Sequence, residues 1–208
     1  MNKISRKSKG EKPKDAYLVV VEGQTERIYI EKLKEQERSL LKGSAITIEP
    51  KIESKGSIQR RKEQILKDRK EKHYAKIYWI LDGDELSRSD KVKGQFKRIL
   101  NELNRYKDII VLVNMPCIEY WFLLHLKSTT ALYNQCKQVE EELKRTGKKR
   151  EQKFLSNYDK KQRILEKVYE ELKPFQKDAI ERAEALKCTK SIEHPCAGIY
   201  LFLKELGL

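Results

Sequence analysis

The sequence predicts an α/β fold: a roughly four-stranded parallel sheet flanked by helices, followed by a helical C-terminal part. Three observations carry that expectation. Short β-branched and aromatic runs, the pattern of strands buried on both faces, recur with enough chain between them for a helix. Strand and helix patterns alternate, which is the order of a parallel sheet with right-handed crossovers. Beyond Pro116 the strand pattern stops and only helical periodicity remains.

The chain opens on residues 1–14, where Lys3, Arg6, Lys7, Lys9, Lys12 and Lys14 stand against Glu11, with Gly10 and Pro13 among them. Residues 1–15 therefore read as a flexible basic arm. Tyr17-Leu18-Val19-Val20-Val21 marks a first strand over 16–21. A helix over 25–40 follows, with Ile28, Ile30, Leu33 and Leu40 apolar, Thr25 as its N-cap and Lys42-Gly43 as its stop. Alternation at Ile46, Ile48 and Ile52 gives a second strand over 45–52, and Gly56-Ser57 caps a basic helix over 58–72. Ile77-Tyr78-Trp79-Ile80-Leu81 places a third strand at 76–81, with a helix at 92–106 and a fourth strand at 109–113. After Pro116, residues 118–126 form a dense apolar helix. Further helices are expected over 130–145, 160–172, 174–188 and 196–206, with Pro174 suited to a first helical position and Gly147-Lys148-Lys149-Arg150 as a basic loop.

Composition narrows the function classes. Lys and Arg outnumber Asp and Glu by 46 to 32, a net charge of +14 over 208 residues. Such a surplus favours a polyanionic partner, nucleic acid before an anionic membrane. No stretch reaches membrane-spanning length and the start lacks an apolar signal core, so a cytoplasmic chain is expected. The four cysteines, Cys117, Cys136, Cys188 and Cys196, form no C-x-x-C pair and are expected as free, reduced thiols. Cys188, His194 and Cys196 make only a partial zinc set, with no fourth ligand in view.

Two strands end in acid. The first runs into Glu22-Gly23-Gln24-Thr25-Glu26, the third into Asp82-Gly83-Asp84-Glu85. In open α/β sheets the working site lies beyond the carboxyl ends of the strands. Gly23 permits a sharp strand-to-helix turn, and Glu26 in the first helical turn also suits the helix dipole. Glu22, directly after four apolar residues, has no such structural role and needs a partner. Alternate residues of an extended strand end project together, so Asp82 and Asp84 can face one cation. The conjunction points to Mg²⁺ (or Mn²⁺) held against a phosphate.

Glu22, Asp82 and Asp84 so placed resemble the Toprim domain, over residues 16–113. That resemblance implies Mg²⁺ binding by these three residues, phosphodiester chemistry, and kinship with topoisomerases, primases and OLD-family nucleases. A closer resemblance covers most of the chain. The segments from Val21 to Glu26 and from Leu81 to Glu85, together with Pro116-Cys117-Ile118-Glu119-Tyr120-Trp121-Phe122-Leu123-Leu124-His125, look like the RloB-like family. Tyr158-Asp159-Lys160 matches that family's Tyr-x-Lys element, and His194-Pro195 lies where a late Asn-Pro opens its last helix. Met115 and His194 depart from the family's asparagines. The resemblance implies a Toprim-like core over 16–116 with a helical region over 117–208 packed on it. It further implies a nuclease effector of anti-phage, abortive-infection type, partnered by an RloA-type ATPase. Related split systems cut tRNA.

Further candidates accompany the three acids. Glu26, Glu85 and Glu119 are additional metal-ligand candidates; Glu119 stands alone in an apolar helix that begins at the active edge, and a buried carboxylate needs a partner. His125 lies six residues beyond Glu119, off its helix face, and reads as a core histidine; His73 reads as a surface residue. Tyr120, Trp121 and Phe122 read as core, since consecutive helical residues cannot share a face. Arg60, Arg61, Lys62, Lys148, Lys149, Arg150 and Lys160 are candidate phosphate contacts. In the expected mechanism Glu22, Asp82 and Asp84 hold one or two Mg²⁺ ions, and Glu22 also serves as general acid or base. The alternatives are a non-catalytic nucleic-acid or partner-binding module with a vestigial site, and a Mg²⁺-dependent enzyme of small phosphate substrates, which the basic surplus disfavours.

Overall fold

Among the described residues, five strands, β1 (Ala16–Val20), β2 (Ala45–Glu49), β3 (Lys76–Asp82), β4 (Ile109–Met115) and β5 (Cys196–Ala197), form one sheet in the order β2-β1-β3-β4-β5. The structure is a computed structural model that describes residues 16–41, 44–49, 57–87, 89–187 and 194–208. The basic arm, the Lys42-Gly43 stop, the end of the expected second strand, Gly56 and Cys188 lie outside those residues, as does the side chain of Glu85. The first four strands are parallel, as expected. The short β5 runs antiparallel to β4, pairing Ala197 with Asn114 and Cys196 with Met115. The sequence pointed to helix from 196; two residues of strand are too few to show a period.

Side-chain alternation along the central strands explains why both sheet faces are covered. Leu18, Val20, Ile77, Trp79, Leu81, Val111 and Val113 are buried on one face, against Ile65 of α2 (Ile58–Glu71) and Phe96, Ile99 and Leu103 of α4 (Asp90–Leu103). Tyr17, Val19, Val21, Tyr78, Ile80 and Leu112 are buried on the other, against Ile28, Tyr29 and Leu33 of α1 (Gln24–Gln36). The same apolar cluster takes in α5 (Ile118–Leu126), α6 (Cys136–Lys149), α8 (Gln162–Leu172), α9 (Gln176–Ala185) and α10 (Tyr200–Glu205). The C-terminal helices thus complete the second face of the sheet. Every residue of α5 is buried, because it lies between the sheet and α6 and α9.

Several local expectations shift. Gly23, not Thr25, is the N-cap of α1, and Thr25 lies inside the first turn. Ser57 caps α2 as expected, accepting from the Arg60 amide. A one-turn helix, α3 (Gly83–Leu86), follows β3 directly, and α4 starts at Asp90, capped by Ser89. α6 begins at Cys136 rather than 130, where Gln135 and Gln138 bond reciprocally to each other's backbone. Gly147, Lys148 and Lys149 finish α6 instead of forming a loop. A Cβ on Gly147 would lie 2.7 Å from Leu155 Cβ and 2.9 Å from Ser156 N, so this glycine lets α7 (Lys153–Ser156) seat against α6. Pro174 falls in a 3₁₀ turn, Lys173–Phe175, that leads into α9.

The strand order positions the site. From β1 the chain crosses to β2 on one side, and later to β3 and β4 on the other. The carboxyl ends of β1 and β3 therefore flank a topological switch point, where open α/β sheets leave a crevice.

Candidate functional site

Three adjacent strands, β1, β3 and β4, each deliver a carboxyl group to that crevice. Glu26 comes from the first turn of α1, after β1. Its side chain folds back over the turn so closely that a Cβ at Gly23 would meet its Oε2 at 2.6 Å. A side chain at position 23 would therefore have to displace the Glu26 carboxyl. Asp82 ends β3, and its Oδ1 accepts a hydrogen bond of 3.0 Å from the Ile118 amide. That bond satisfies a first-turn N–H of α5 and ties the end of β3 to the helix after β4. Glu119 lies in the first turn of α5 and is fully buried. Glu26 and Asp82 are neighbours there, and each carboxyl acts on the other's proton affinity.

Glu119 is the best-partnered of the three. Its Oε1 accepts from the Tyr158 hydroxyl at 2.8 Å and pairs with Lys160 Nζ at 3.0 Å. Its Oε2 lies 3.0 Å from Cys136 Sγ. Lys160 also reaches Glu140 Oε1 at 3.2 Å, so one ammonium bridges α5 and α6. Burial comes first in setting the electrostatics, and the charges of neighbouring acids add to it. Burial raises the Glu26 carboxyl to about 6, and the Glu119 charge adds to the rise. Burial, with the charges of Glu26 and Glu119, holds Asp82 well above the usual carboxylate range. Burial lowers the Lys160 pKa, but the Glu119 and Glu140 carboxylates outweigh it and the net shift is upward. Burial and Glu119 also push Tyr158 up, so its hydroxyl stays a donor.

Of the other predicted residues, only Lys160 among those described joins this cluster. Glu22 Oε1 accepts from Trp79 Nε1 at 2.8 Å and pairs with Arg61 Nε at 3.4 Å, which turns that oxygen towards α2. Asp84 lines a cleft of about 470 Å³ with Ser87, Asn134, Gln135, Cys136 and Lys137. Arg61 and Lys62 are buried, Lys62 pairing with Glu102 at 2.9 Å, so of the α2 basic trio Arg60 alone is exposed. Lys148, Lys149 and Arg150 are exposed at the far end of α6, roughly 20 Å of helix from Cys136. Lys160 belongs to the carboxylate cluster itself.

His125 is a core residue, as its spacing implied. It is buried, its Nδ1 lies 2.9 Å from the Trp121 carbonyl oxygen, and burial lowers its pKa to about 3. Tyr120, Trp121 and Phe122 are all buried, and His73 is exposed. The cysteine expectation fails. Cys117, the N-cap of α5, and Cys136, the first residue of α6, form a disulfide with Cα atoms 5.5 Å apart. Among the described residues there is no free cysteine. Nothing in the spacing of 19 residues signals that the two helix starts meet. Tyr158 is the site residue that residue-by-residue reading missed; only its place beside Lys160 in a Tyr-x-Lys element marked it.

Fold and site together define a mostly parallel α/β protein with a carboxylate cluster at the switch point of its sheet. The chain belongs to the RloB-like protein family, whose model matches residues 17–206. No curated protein and no solved structure matches it. Among the described residues no helix is long and apolar enough to cross a membrane.

Proposed function

We propose that this protein is a metal-dependent, Toprim-like nuclease that cleaves phosphodiester bonds in nucleic acid and acts as an anti-phage effector with an RloA-type ATPase. The supporting observation is the convergence of Glu26, Asp82 and Glu119 from three neighbouring strands at the switch point. The donor set suits a hard divalent cation in being all oxygen; among the described residues the group at mutual ligand spacing is Glu119 with the disulfide sulfurs of Cys117 and Cys136, so a bound ion would have to draw the three carboxyls together. Glu26, Asp82 and Glu119 would hold Mg²⁺ or Mn²⁺, with Asp84 and Glu22 at the margin. Bound there, the ion supplies Lewis acidity and charge neutralisation to a phosphate. Lys160, held by two carboxylates, presents a fixed positive charge for a non-bridging phosphate oxygen. Arg60, Lys148, Lys149 and Arg150 supply exposed cations for the rest of the polyanion. DNA, total RNA and tRNA are all substrates to be tried, and the defence role rests on family membership.

One observation favours a non-catalytic binding module instead. Lys160 and Tyr158 already compensate Glu119 without a metal. Cleavage assays decide between the two. Labelled DNA, total RNA and tRNA are incubated with Mg²⁺, Mn²⁺ or EDTA, with and without the ATPase partner. Cleavage that needs the ion and falls at least about 10²-fold in Glu26→Gln and Asp82→Asn is the expected result. Equal cleavage by wild type and both variants sinks the nuclease reading. Tight metal-independent binding with no cutting under any condition establishes the module.

A further inference from the structure

The Cys117–Cys136 disulfide is built into the wall of the carboxylate site. Cys117 is fully buried at the start of α5, two residues before Glu119. Cys136 opens α6 and lines the cleft that also holds Asp84. Its Sγ lies 3.0 Å from Glu119 Oε2, 3.6 Å from Glu140 Oε1 and 3.5 Å from Lys160 Nζ. One covalent bond therefore fixes the two helices whose carboxylates, Glu119 and Glu140, hold Lys160. The bond also closes off residues 127–135, a stretch between the helices with little regular structure of its own.

We propose that Cys136 is a thiol-exchange site, and that opening its bond to Cys117 releases the start of α6 from the carboxylate cluster. Access decides which sulfur is attacked: Cys117 has no exposed surface, whereas Cys136 faces the cleft. A thiolate of a dithiol reductant attacks Cys136 Sγ. The Cys117–Cys136 bond breaks, and the Cys117 sulfur leaves with the bonding pair and takes a proton. The reductant's second thiolate then attacks its own sulfur in the mixed disulfide, and Cys136 leaves and is protonated in turn. The protein pair gains two electrons and two protons, and the dithiol is oxidised to its cyclic disulfide. With the bond open, Glu140 and Glu119 are no longer fixed relative to each other, and Lys160 loses its shared seat. Oxidation thus assembles the site and reduction loosens it. The effect on metal binding rests on the nuclease reading; the exchange itself does not.

The full-length protein is equilibrated in oxidised and in reduced dithiothreitol, acid-quenched, alkylated and peptide-mapped. Amide hydrogen exchange and Mn²⁺ binding are measured on both forms. A Cys117–Cys136 crosslink is expected, with glutathione adding first at Cys136 when used as a single-thiol probe. Exchange across the first turns of α6 should quicken about tenfold on reduction, and Mn²⁺ binding should weaken about tenfold. Cys136→Ser should behave as the reduced form and ignore reductant; wild type alkylated after reduction serves if that variant fails to fold. No crosslink, a first adduct at Cys117, or unchanged exchange in α6 overturns the proposal. If Mn²⁺ binds neither form, the carboxylate reading falls, and the adduct and exchange results still decide the thiol site.

Discussion

Burial in the crevice favours the neutral form of both Glu26 and Asp82, so their ionisation opposes folding. The sign follows from linkage. Below about pH 4.5 the Glu26 carboxyl is protonated in both folded and unfolded chains. As pH rises the unfolded chain ionises first, and the folded chain follows only near 6. Stability present below 4.5 is therefore lost as pH rises through about 6, to the extent of about 2 kcal/mol. His125 acts in the opposite sense. Its folded pKa is near 3 against an ordinary 6.5, so it contributes stability above 6.5 that is lost as pH falls towards 3. The two effects overlap in wild type, and a difference experiment separates them. Glu26→Gln removes the Glu26 titration and leaves His125 in place. The variant should gain about 2 kcal/mol relative to wild type between about pH 4.5 and 7.5 in urea denaturation. A divalent cation should raise the wild-type midpoint at pH about 7.5 and leave the variant's nearly unchanged. A constant difference across pH would show that Glu26 is not the strained group.

Two glycines in helices make opposite predictions at the scale of elements. Gly94 lies within α4 with nothing within 4 Å of a built Cβ, whereas Gly147 is pressed against Leu155 and the backbone of Ser156. Gly94→Ala should stabilise by about 0.5–1 kcal/mol, because it restricts the unfolded chain and suits the helix. Gly147→Ala should destabilise by about 1–3 kcal/mol, because α7 must move. Chemical denaturation of both variants checks the pair, and equal effects would contradict the packing of α7 on α6. The same glycine shows where sequence reading reached its limit. A Gly followed by three cations looks like a loop, and only tertiary contact reveals that Gly147 lies in the last turn of a helix. β1, β3 and β4 were legible because burial on both faces leaves runs such as Tyr17–Val21 and Ile77–Leu81 with almost no polar interruption, and β2, at the sheet edge, through the alternation of Ile46 and Ile48. β5 was not legible, since Cys196 and Ala197 owe their strand geometry to β4 alone. At the site, the acids at the strand ends were visible, and their ranking was not. Glu22 and Glu26 are four residues apart with the same side chain, and the difference lies in Trp79 and Arg61, which claim one oxygen of Glu22.

At the scale of the whole molecule, a chain of net charge +14 holds a crevice that concentrates carboxyl groups. The two features fit one function if the basic surface binds a polyanion and the acids act on it. They also separate affinity from chemistry. The cluster faces a local site, while Lys148, Lys149 and Arg150 stand at the other end of α6. Arg61 and Lys62 are already engaged by Glu22 and Glu102, so little of the binding charge should come from them. Phosphate contacts made by exposed cations release counterions, and the logarithm of affinity then falls linearly with the logarithm of salt. Nucleic-acid affinity should accordingly drop by about 10²-fold or more between about 50 and 200 mM salt. Replacing Lys148, Lys149 and Arg150 together by alanine should weaken binding for every sequence and shallow the salt slope by up to about three. Asp82→Asn should keep the wild-type slope and bind at least as tightly, since it takes away no cation and adds no negative charge. Fluorescence anisotropy across a salt series, in EDTA to prevent cleavage, measures all three. A triple variant with an unchanged slope would move the binding face away from the end of α6, leaving Arg60 and the cleft beside Asp84 as the next positions to test.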